Sequence, residues 1–186
     1  MTQHQNVIRP VRADEWEKAK ELRLTALQDP VARIAFLETY EKASAQPDSF
    51  WQDRTQRAAE SATVRQFVAE APDGTWVGSV TVFVEAAGSD SVLDDQAEVD
   101  QGHVVGVFVR PEHRGTGVIE SLFEAGVSWA WSLEEPRLER VRLFVHEDNA
   151  RAAAFYGRFG FRPSGVVIPM PNDPSAKEIE YVLPRP

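Results

Sequence analysis

The chain has 186 residues, of which 42% are hydrophobic and 26% charged, so its composition excludes a disordered or fibrous protein. This is the length of a single domain, residues 1–186, with enough chain to bury a substantial core. The formal net charge of −9 argues against nucleic acid as a partner, because nucleic-acid-binding proteins present a basic face to the phosphates.

The sequence contains no cysteine, which excludes disulfides, thiolate-held metals and cysteine-bound covalent intermediates. No group of His, Asp and Glu has metal-ligand spacing, so we expect no metal. The N-terminus lacks the apolar core of a secretory signal, and no apolar run is long enough to cross a bilayer. We therefore expect a cytoplasmic protein without a membrane partner. The oligomeric state is not readable from the chain, and a homodimer is the general expectation.

The first third of the chain predicts a short strand followed by helices. Residues 7–11 form the strand, and Asp14 is the predicted N-cap of a helix that ends near Gln28, with Glu17 completing a capping box. Asp29-Pro30 breaks this helix. Two further helical pieces are predicted by the spacing of Val31, Ile34, Ala35 and Tyr40, and by that of Trp51, Arg54 and Ala58.

The middle of the chain predicts a hairpin. Residues 64–69 and 76–85 are rich in β-branched and aromatic side chains, and the segment 71–74, APDG, is typical of a turn. Residues 86–102 then predict an acidic loop or a ragged strand end. The rest of the chain alternates between the two kinds of element.

Strands are predicted at residues 104–109, 140–145, 166–168 and 179–183. One helix follows Gly117 with its apolar residues on one face, and a second, residues 150–159, ends at Gly160 as a C′ glycine. The order β-α-α-β-β-β-α-β-α-β-β predicts an α/β (α+β) protein with a mixed sheet and helices on both faces.

The turn after residues 104–109 is rich in glycine and opens directly into a helix. A helix N-terminus presents unpaired N–H groups and a partial positive charge, so Gly115 and Gly117 would let an anion approach, with Arg114 adding a full charge. The alternative is a plain tight turn. A Walker loop is excluded because Val118 follows the second glycine, and a dinucleotide fingerprint because Glu120 replaces its third small residue.

This turn resembles the acyl-CoA loop of the GNAT (GCN5-related N-acetyltransferase) superfamily, which has a strand ending Val-x-Val-x-Pro and then Arg/Gln-x-x-Gly-x-Gly/Ala. The matching stretches are VFVRP at residues 107–111 and RGTGVI at residues 114–119, and Ile119 departs from the usual Gly or Ala. A second stretch, LFVHEDN at residues 143–149 followed by Tyr156 and Gly160-Phe161, resembles the next strand and helix of that family.

The resemblance implies a GNAT acyl-CoA acyltransferase fold, with a mostly antiparallel sheet of about seven strands splayed at its middle. Acetyl-CoA would be the co-substrate, its pantetheine entering between the strands of Val107 and Val145. The resemblance implies these cofactor-binding residues: Val107, Phe108, Val109, Arg114, Gly115, Thr116, Gly117, Val118, Ile119, Asn149 and Tyr156. A backbone N–H of the first strand would polarise the thioester carbonyl, and the acetyl group would pass directly to an amine.

Within that resemblance, Tyr156 is the expected general acid for the departing thiolate, because a phenol is protonated at neutral pH. The alternative is a tyrosine that simply packs in the core. Asn149 has two roles that are compatible, as N-cap of its helix or as a contact to the cofactor. His113, beside Arg114, is expected on the phosphate or solvent side.

The general base stays open. Some members of the family that modify protein N-termini carry Glu on the strand before the Asn, where this chain has Phe144. The candidates are His103, because histidine titrates in the physiological range, Glu85, Glu147, and a proton path through water. We name His103 as the catalytic candidate beside Tyr156.

The acceptor is expected to be a primary amine of a small molecule such as an amino acid, a polyamine or an amine antibiotic. A run without Lys or Arg between residues 66 and 109 would form an acidic rim that attracts a cationic amine, although acidic loops also serve solubility alone. Its acidic residues are Glu70, Asp73, Glu85, Asp90, Asp94, Asp95, Glu98 and Asp100. An apolar acceptor pocket or ordinary core packing is expected of Phe36, Tyr40, Phe50 and Trp51. Two other functions remain open: acetylation of a protein N-terminus or lysine, and non-catalytic sensing of acyl-CoA.

Overall fold

The computed structural model describes residues 5–91 and 95–186, and Asp94, one of the acidic residues predicted for the rim, lies outside them. In these residues the chain builds a seven-stranded sheet in the order β1-β2-β3-β4-β5-β7-β6. The strands are β1 (Val7–Pro10), β2 (Val64–Glu70), β3 (Trp76–Glu85), β4 (Gln101–Val109), β5 (Arg140–His146), β6 (Arg162–Met170) and β7 (Asp173–Pro184). The β4–β5 pair is parallel and the other neighbouring pairs are antiparallel.

Helices cover both faces of the sheet, as the alternation of elements predicts. They are α1 (Trp16–Leu27), α2 (Ala32–Ala35), α3 (Tyr40–Ser44), α4 (Asp48–Glu60), α5 (Val118–Ser132) and α6 (Ala150–Phe159). On one face α5 and α6 bury an apolar core around Leu122, Phe123 and Leu143. On the other face α1 and α4 pack on the first strands around Leu22, Trp51 and Val68. Each face thus has its own core, and the sheet separates the two.

The start of α1 differs from the sequence prediction. Glu15, and not Asp14, occupies the N-cap, and no side chain there accepts a hydrogen bond from the helix. The carboxylate of Glu15 is taken instead by Arg9 on β1, at 2.6 and 3.0 Å, and by the N–H of Arg12. The ion pair between Glu15 and Arg9 on β1 is formed at the start of α1, and the capping box predicted at Asp14 is not.

The sheet opens between β4 and β5. These strands are paired only through residues 101–103 and 140–142, after which β5 continues with β7 alone. Gly106 interrupts β4 with a positive φ of 62°, and the register against β3 shifts at this point. Such a bulge bends a strand and turns its backbone groups aside. The predicted splay is confirmed, and it leaves one edge of β4 unpaired by β5 from Val104 onward.

Two features are absent from the described residues: a membrane-spanning helix and a metal-binding cluster. None of the helices there has the length and apolar character needed to span a membrane. No set of three or more His, Asp and Glu side chains is placed in that part of the chain to hold a metal ion.

Candidate active site

A cavity of about 610 Å³ occupies the opening between β4 and β5. Residues 103–109 of β4 form one wall and residues 143–146 of β5 the other. The glycine turn and α6 close one end, while the segment around α2 and the β6–β7 hairpin close the other. Side chains alternate across a strand, so the cavity passes through the sheet and joins its two faces.

The glycine turn forms the α5 end of this cavity. Gly115 and Gly117 have φ values of 74° and 87°, a conformation that favours glycine, and no atom lies within 4 Å of where a Cβ would stand on either. In the part of the chain that the structure describes, no group accepts a hydrogen bond from the N–H groups of residues 115–120. Thr116 donates its hydroxyl to the carbonyl of His113 and steadies the turn. The turn therefore presents free donors to open space, as an anion site requires.

Arg114 is more engaged than the sequence predicts. Its Nη2 lies 2.7 Å from Oδ2 of Asp29, and its Nε donates to the carbonyl of Val109 at 2.9 Å. Burial alone would raise the pKa of Asp29, but hydrogen bonds from Val31 and Arg114 hold that pKa below its usual range. Arg114 thus lines the cavity and also ties the glycine turn to the end of α1.

Tyr156 lies on α6 with its side chain buried and lining the cavity. Burial, and then the nearby charge of Glu178, raise the pKa of Tyr156 well above its usual range. The hydroxyl therefore stays protonated and able to donate. Its ring also packs on Phe123 and Phe161, with ring centroids 5.6 and 6.1 Å apart. Tyr156 therefore packs in the apolar core and lines the cavity at the same time.

Two further predicted residues lie at the same cavity. Asn149 caps α6, its Oδ1 accepting from the N–H of Ala152 at 3.3 Å, and it also lines the cavity. Ile119, which stands in the first turn of α5, lines the cavity and packs on the core beneath it. Val107, Phe108 and Val109 line the cavity on the β4 side. Val118, the first residue of α5, is buried and, like Thr116 and Gly117, does not line the cavity.

Among the candidate bases, His103 lines the cavity, whereas Glu85 and Glu147 do not. The Nδ1 atom of His103 lies 3.1 Å from Oε2 of Glu85. An ionised carboxylate can only accept, so Nδ1 carries the proton and Nε2 is the remaining ring nitrogen. Glu147 is exposed and accepts from the N–H of Lys177 outside the cavity.

Glu85 belongs to a buried charge network on the same face of the sheet. Arg142 contacts Glu85 and Glu180 at 3.0 Å each, and all three side chains are 3% exposed. Asp95 adds a further contact to Arg142, which lowers the pKa of Asp95 to about 2. Burial works to raise the pKa of Glu85, but His103, Arg142 and Gln101 hold it below the usual range. This network fixes the position of His103.

Glu178 is a cavity residue that the sequence interpretation missed. It lies on β7 opposite His146, it is 8% exposed, and burial raises its pKa to about 7. One signal was available: Glu178 and Glu180 alternate with Ile179 and Tyr181, a pattern that puts two carboxylates on one face of a strand. The pattern does not show that β7 pairs with β5, and it is this pairing that places the face with Glu178 at the cavity.

Of the four aromatic residues predicted for an acceptor pocket, one lines the cavity and three belong to the core. Phe36 is buried and lines the cavity, with the guanidinium of Arg23 4.6 Å from the centre of its ring. Tyr40, Phe50 and Trp51 instead belong to the core under α1 and α4. Of the seven predicted acidic residues that the structure describes, none lines the cavity. The carboxylates that do line it are Asp29, Glu38, Glu120 and Glu178.

The parted strands, the bulge and the glycine turn at a helix N-terminus surround one open cavity. The profile of the Acetyltransferase (GNAT) family matches residues 19–161. The chain belongs to the GNAT acetyltransferase family.

Three known proteins show how the chain compares. It is 29% identical over 68 residues to a Bacillus subtilis (strain 168) protein provisionally assigned as a ribosomal protein bS18-alanine N-acetyltransferase, a match that covers 37% of this chain and 43% of that protein. The structure is similar to PaiA N-acetyltransferase from Thermoplasma acidophilum in complex with coenzyme A, at 17% identity and a TM-score of 0.67, covering 94% of this chain and 97% of the other. It is also similar to a chimera of the spermidine N-acetyltransferase SpeG from Vibrio cholerae, at 14% identity and a TM-score of 0.67, covering 97% and 95%.

Proposed function

We propose that this protein is an N-acetyltransferase that moves the acetyl group of acetyl-CoA directly to a primary amine of a small molecule. One observation carries the proposal: a single cavity joins the free N–H groups of the glycine turn to Tyr156 and then, through the sheet, to a carboxylate-bearing far end. A donor with a diphosphate at one end and a thioester at the other matches this arrangement in its charge and its chemistry.

The residues of the cavity fit coenzyme A in two respects. The N–H groups of residues 115–120 face open space and have no protein acceptor, so they can hold the diphosphate. The edge of β4 beyond His103 is unpaired by β5, so its backbone can pair with the amides of an extended pantetheine arm. The relative solved with coenzyme A supports the same donor for this chain.

The chemistry assigned to the chain is direct transfer. A backbone N–H of β4 near the bulge polarises the thioester carbonyl while the amine nitrogen attacks its carbon. The hydroxyl of Tyr156 donates a hydrogen bond to the sulfur as the carbon–sulfur bond breaks, and its high pKa keeps the proton in place until then. His103, the base candidate that the sequence suggests, lines the same cavity and is held through Nδ1 by Glu85.

The far end of the cavity supports a small amine as acceptor. Phe36 and Phe144 supply apolar surface in the cavity, while Glu178 supplies negative charge for an ammonium group. Phe144 occupies the strand position at which some members of the family that modify protein N-termini carry Glu. The spermidine N-acetyltransferase among the similar structures is consistent with this acceptor class.

A second candidate function is acetylation of a protein N-terminus. The observation that favours it is the similarity to the ribosomal protein bS18-alanine N-acetyltransferase of Bacillus subtilis. An N-terminal alanine and a small amine present the same nucleophile, so the site chemistry is shared and only the acceptor surface differs.

The test is thiol release from acetyl-CoA in the presence of an amino acid, spermidine, an aminoglycoside and an alanine-terminated peptide. We expect release that depends on one of the small amines. Release with the peptide alone would replace the proposal with the second candidate. Binding of coenzyme A without thiol release in the presence of any of these amines would instead identify an acyl-CoA sensor. If calorimetry detects no binding of coenzyme A or acetyl-CoA, the proposal is overturned altogether.

A further inference from the structure

Glu178 is a buried carboxylate that the protein leaves without a partner. Only 8% of the residue is exposed, and in the described part of the chain no side chain or N–H group donates a hydrogen bond to it and no cation lies within ion-pair distance. Glu180, two residues further along β7, is as deeply buried but is neutralised by Arg142 and accepts from Ser164 at 2.7 Å. A buried charge without compensation is costly to fold, so its retention calls for another explanation.

The location of Glu178 supplies that explanation. It pairs with His146 on β5 and with Ile168 on β6, and it lines the cavity on the sheet face that also bears His103 and Phe144. Its charge raises the pKa of Tyr156, which approaches the cavity from the opposite face. Glu178 therefore lines the same cavity as Tyr156, on the face of the sheet that also bears His103 and Phe144.

The other carboxylates of the cavity are either paired with an arginine or exposed to solvent. Asp29 is paired with Arg114 at 2.7 Å, and Glu38 with Arg23 at 2.9 Å. Glu120 is exposed in the first turn of α5, at the phosphate end. Among the carboxylates that line the cavity in residues 5–91 and 95–186, Glu178 alone is both buried and unpaired.

We propose that Glu178 is the general base of the transfer, the group that takes the proton from the ammonium of the acceptor. This inference rests on the proposed function and names a residue that performs it. The ammonium gives one proton to Glu178, and the free amine forms the new carbon–nitrogen bond as the carbon–sulfur bond breaks. The second proton of the nitrogen passes to the departing sulfur by way of the Tyr156 hydroxyl, and Glu178 returns its own proton to solvent.

The environment of Glu178 suits that role. Burial raises its pKa to about 7, and a base whose pKa lies near the working pH is the most effective one. The cavity is also lined by these charged and titratable groups: Arg23, Asp29, Glu38, His103, His113, Arg114, Glu120, His146, Arg151, Tyr156 and Arg158. The negative charge of Glu178 also contributes to the raised pKa of Tyr156.

The deciding experiment is the pH profile of kcat/KM for acetyl-CoA with spermidine and with the alanine-terminated peptide. In the wild type, kcat/KM should fall as the pH drops through about 7, and this fall is the acidic limb of the profile. Glu178→Gln keeps the size and shape of the side chain, and we expect it to lower kcat/KM about 100-fold or more and to abolish the limb, with affinity for coenzyme A within about twofold. Glu124→Gln, which removes an exposed carboxylate from α5, should behave as the wild type.

The outcomes separate cleanly. A Glu178→Gln protein that keeps the limb and a rate within threefold overturns the inference, as does a limb that His103→Asn removes and Glu178→Gln does not. A wild type that releases thiol from acetyl-CoA with neither the amino acid, spermidine, the aminoglycoside nor the peptide overturns the proposed function instead. Carboxyl-detected NMR on the coenzyme A complex gives an answer without turnover, because Glu178 must titrate near pH 7, and a titration completed below pH 5 would exclude it as the base.

Discussion

The Nδ1 atom of His103 lies 3.1 Å from Oε2 of Glu85, and both side chains are 3% exposed. The same carboxylate is held by Arg142, whose guanidinium also contacts Glu180. One cation therefore neutralises two buried carboxylates, one of which positions a histidine of the cavity. The network links the stability of the sheet to the geometry of the site.

Replacing Arg142 by Met should destabilise the protein by about 3–5 kcal/mol, because Glu85 and Glu180 would be left buried without their cation. In the wild type Arg142 helps to hold the pKa of Glu85 below its usual range, so this stabilisation is present at neutral pH and is lost as the pH falls and the carboxylate is protonated. The loss in the variant should accordingly be largest at pH 7–8 and shrink toward pH 4. Urea denaturation across this range measures it.

Arg137→Met provides the control, since Arg137 is exposed. It should change stability by less than about 0.5 kcal/mol. Equal stability of the two variants at pH 7 would contradict the role given to Arg142.

Tyr156→Phe should lower kcat about 100-fold or more while leaving the affinity for coenzyme A nearly unchanged, because only the hydrogen bond to the leaving sulfur is lost. Steady-state kinetics and calorimetry measure the two effects separately. Tyr181→Phe is the matched control: its ring lies 6.4 Å from that of Tyr156, and it does not line the cavity. Unchanged turnover in Tyr156→Phe would remove its assignment as the proton donor.

Gly117→Ala should weaken coenzyme A binding about tenfold or more and destabilise the protein by about 1–2 kcal/mol. Its φ of 87° disfavours a side chain, and a Cβ would enter the open space before the free N–H groups. Gly157→Ala, inside α6 with nothing within 4 Å of the new Cβ, should instead stabilise by about 0.5–1 kcal/mol. Calorimetry with coenzyme A and thermal unfolding test the pair, and equal affinities in the two variants would argue against the anion site.

Arg114→Ala should reduce both the affinity for coenzyme A and the stability, because the same guanidinium holds Asp29. Asp29→Asn should reduce stability while retaining most of the affinity. In the wild type the pKa of Asp29 is held low, so the stabilisation that Arg114 gives is present at neutral pH and fades as the pH drops. A double-mutant cycle in unfolding free energy measures the coupling, and additive effects would show that the pair contributes nothing.

The sequence predicted the parts of the site that local motifs encode. Gly117 and Tyr156 were predicted because each has a fixed place in a strand-turn-helix unit. Tyr156 lines the cavity, whereas Gly117 lies at the N-cap of α5 and does not line it. The second role of Arg114 was not predictable, since Asp29 is 85 residues away in the chain. Glu178 was missed for a similar reason: only the β5–β7 register brings it opposite His146. The capping box at Asp14 was wrong because Arg9, on a separate strand, takes Glu15.

Glu178→Gln should also change how stability depends on pH. Burial raises the pKa of Glu178 from an ordinary value near 4.5 to about 7, so the folded protein binds the proton more tightly than the unfolded chain. The stability that Glu178 contributes is therefore fully present below pH 4.5 and falls as the pH rises to about 7, by on the order of 2–3 kcal/mol. The amide cannot ionise, so the variant should match the wild type near pH 4.5 and exceed it at pH 8. Unfolding free energies in urea test this, and parallel pH curves for the two proteins would show that Glu178 titrates normally. A variant that is more stable but less active would identify a carboxylate that is retained for chemistry.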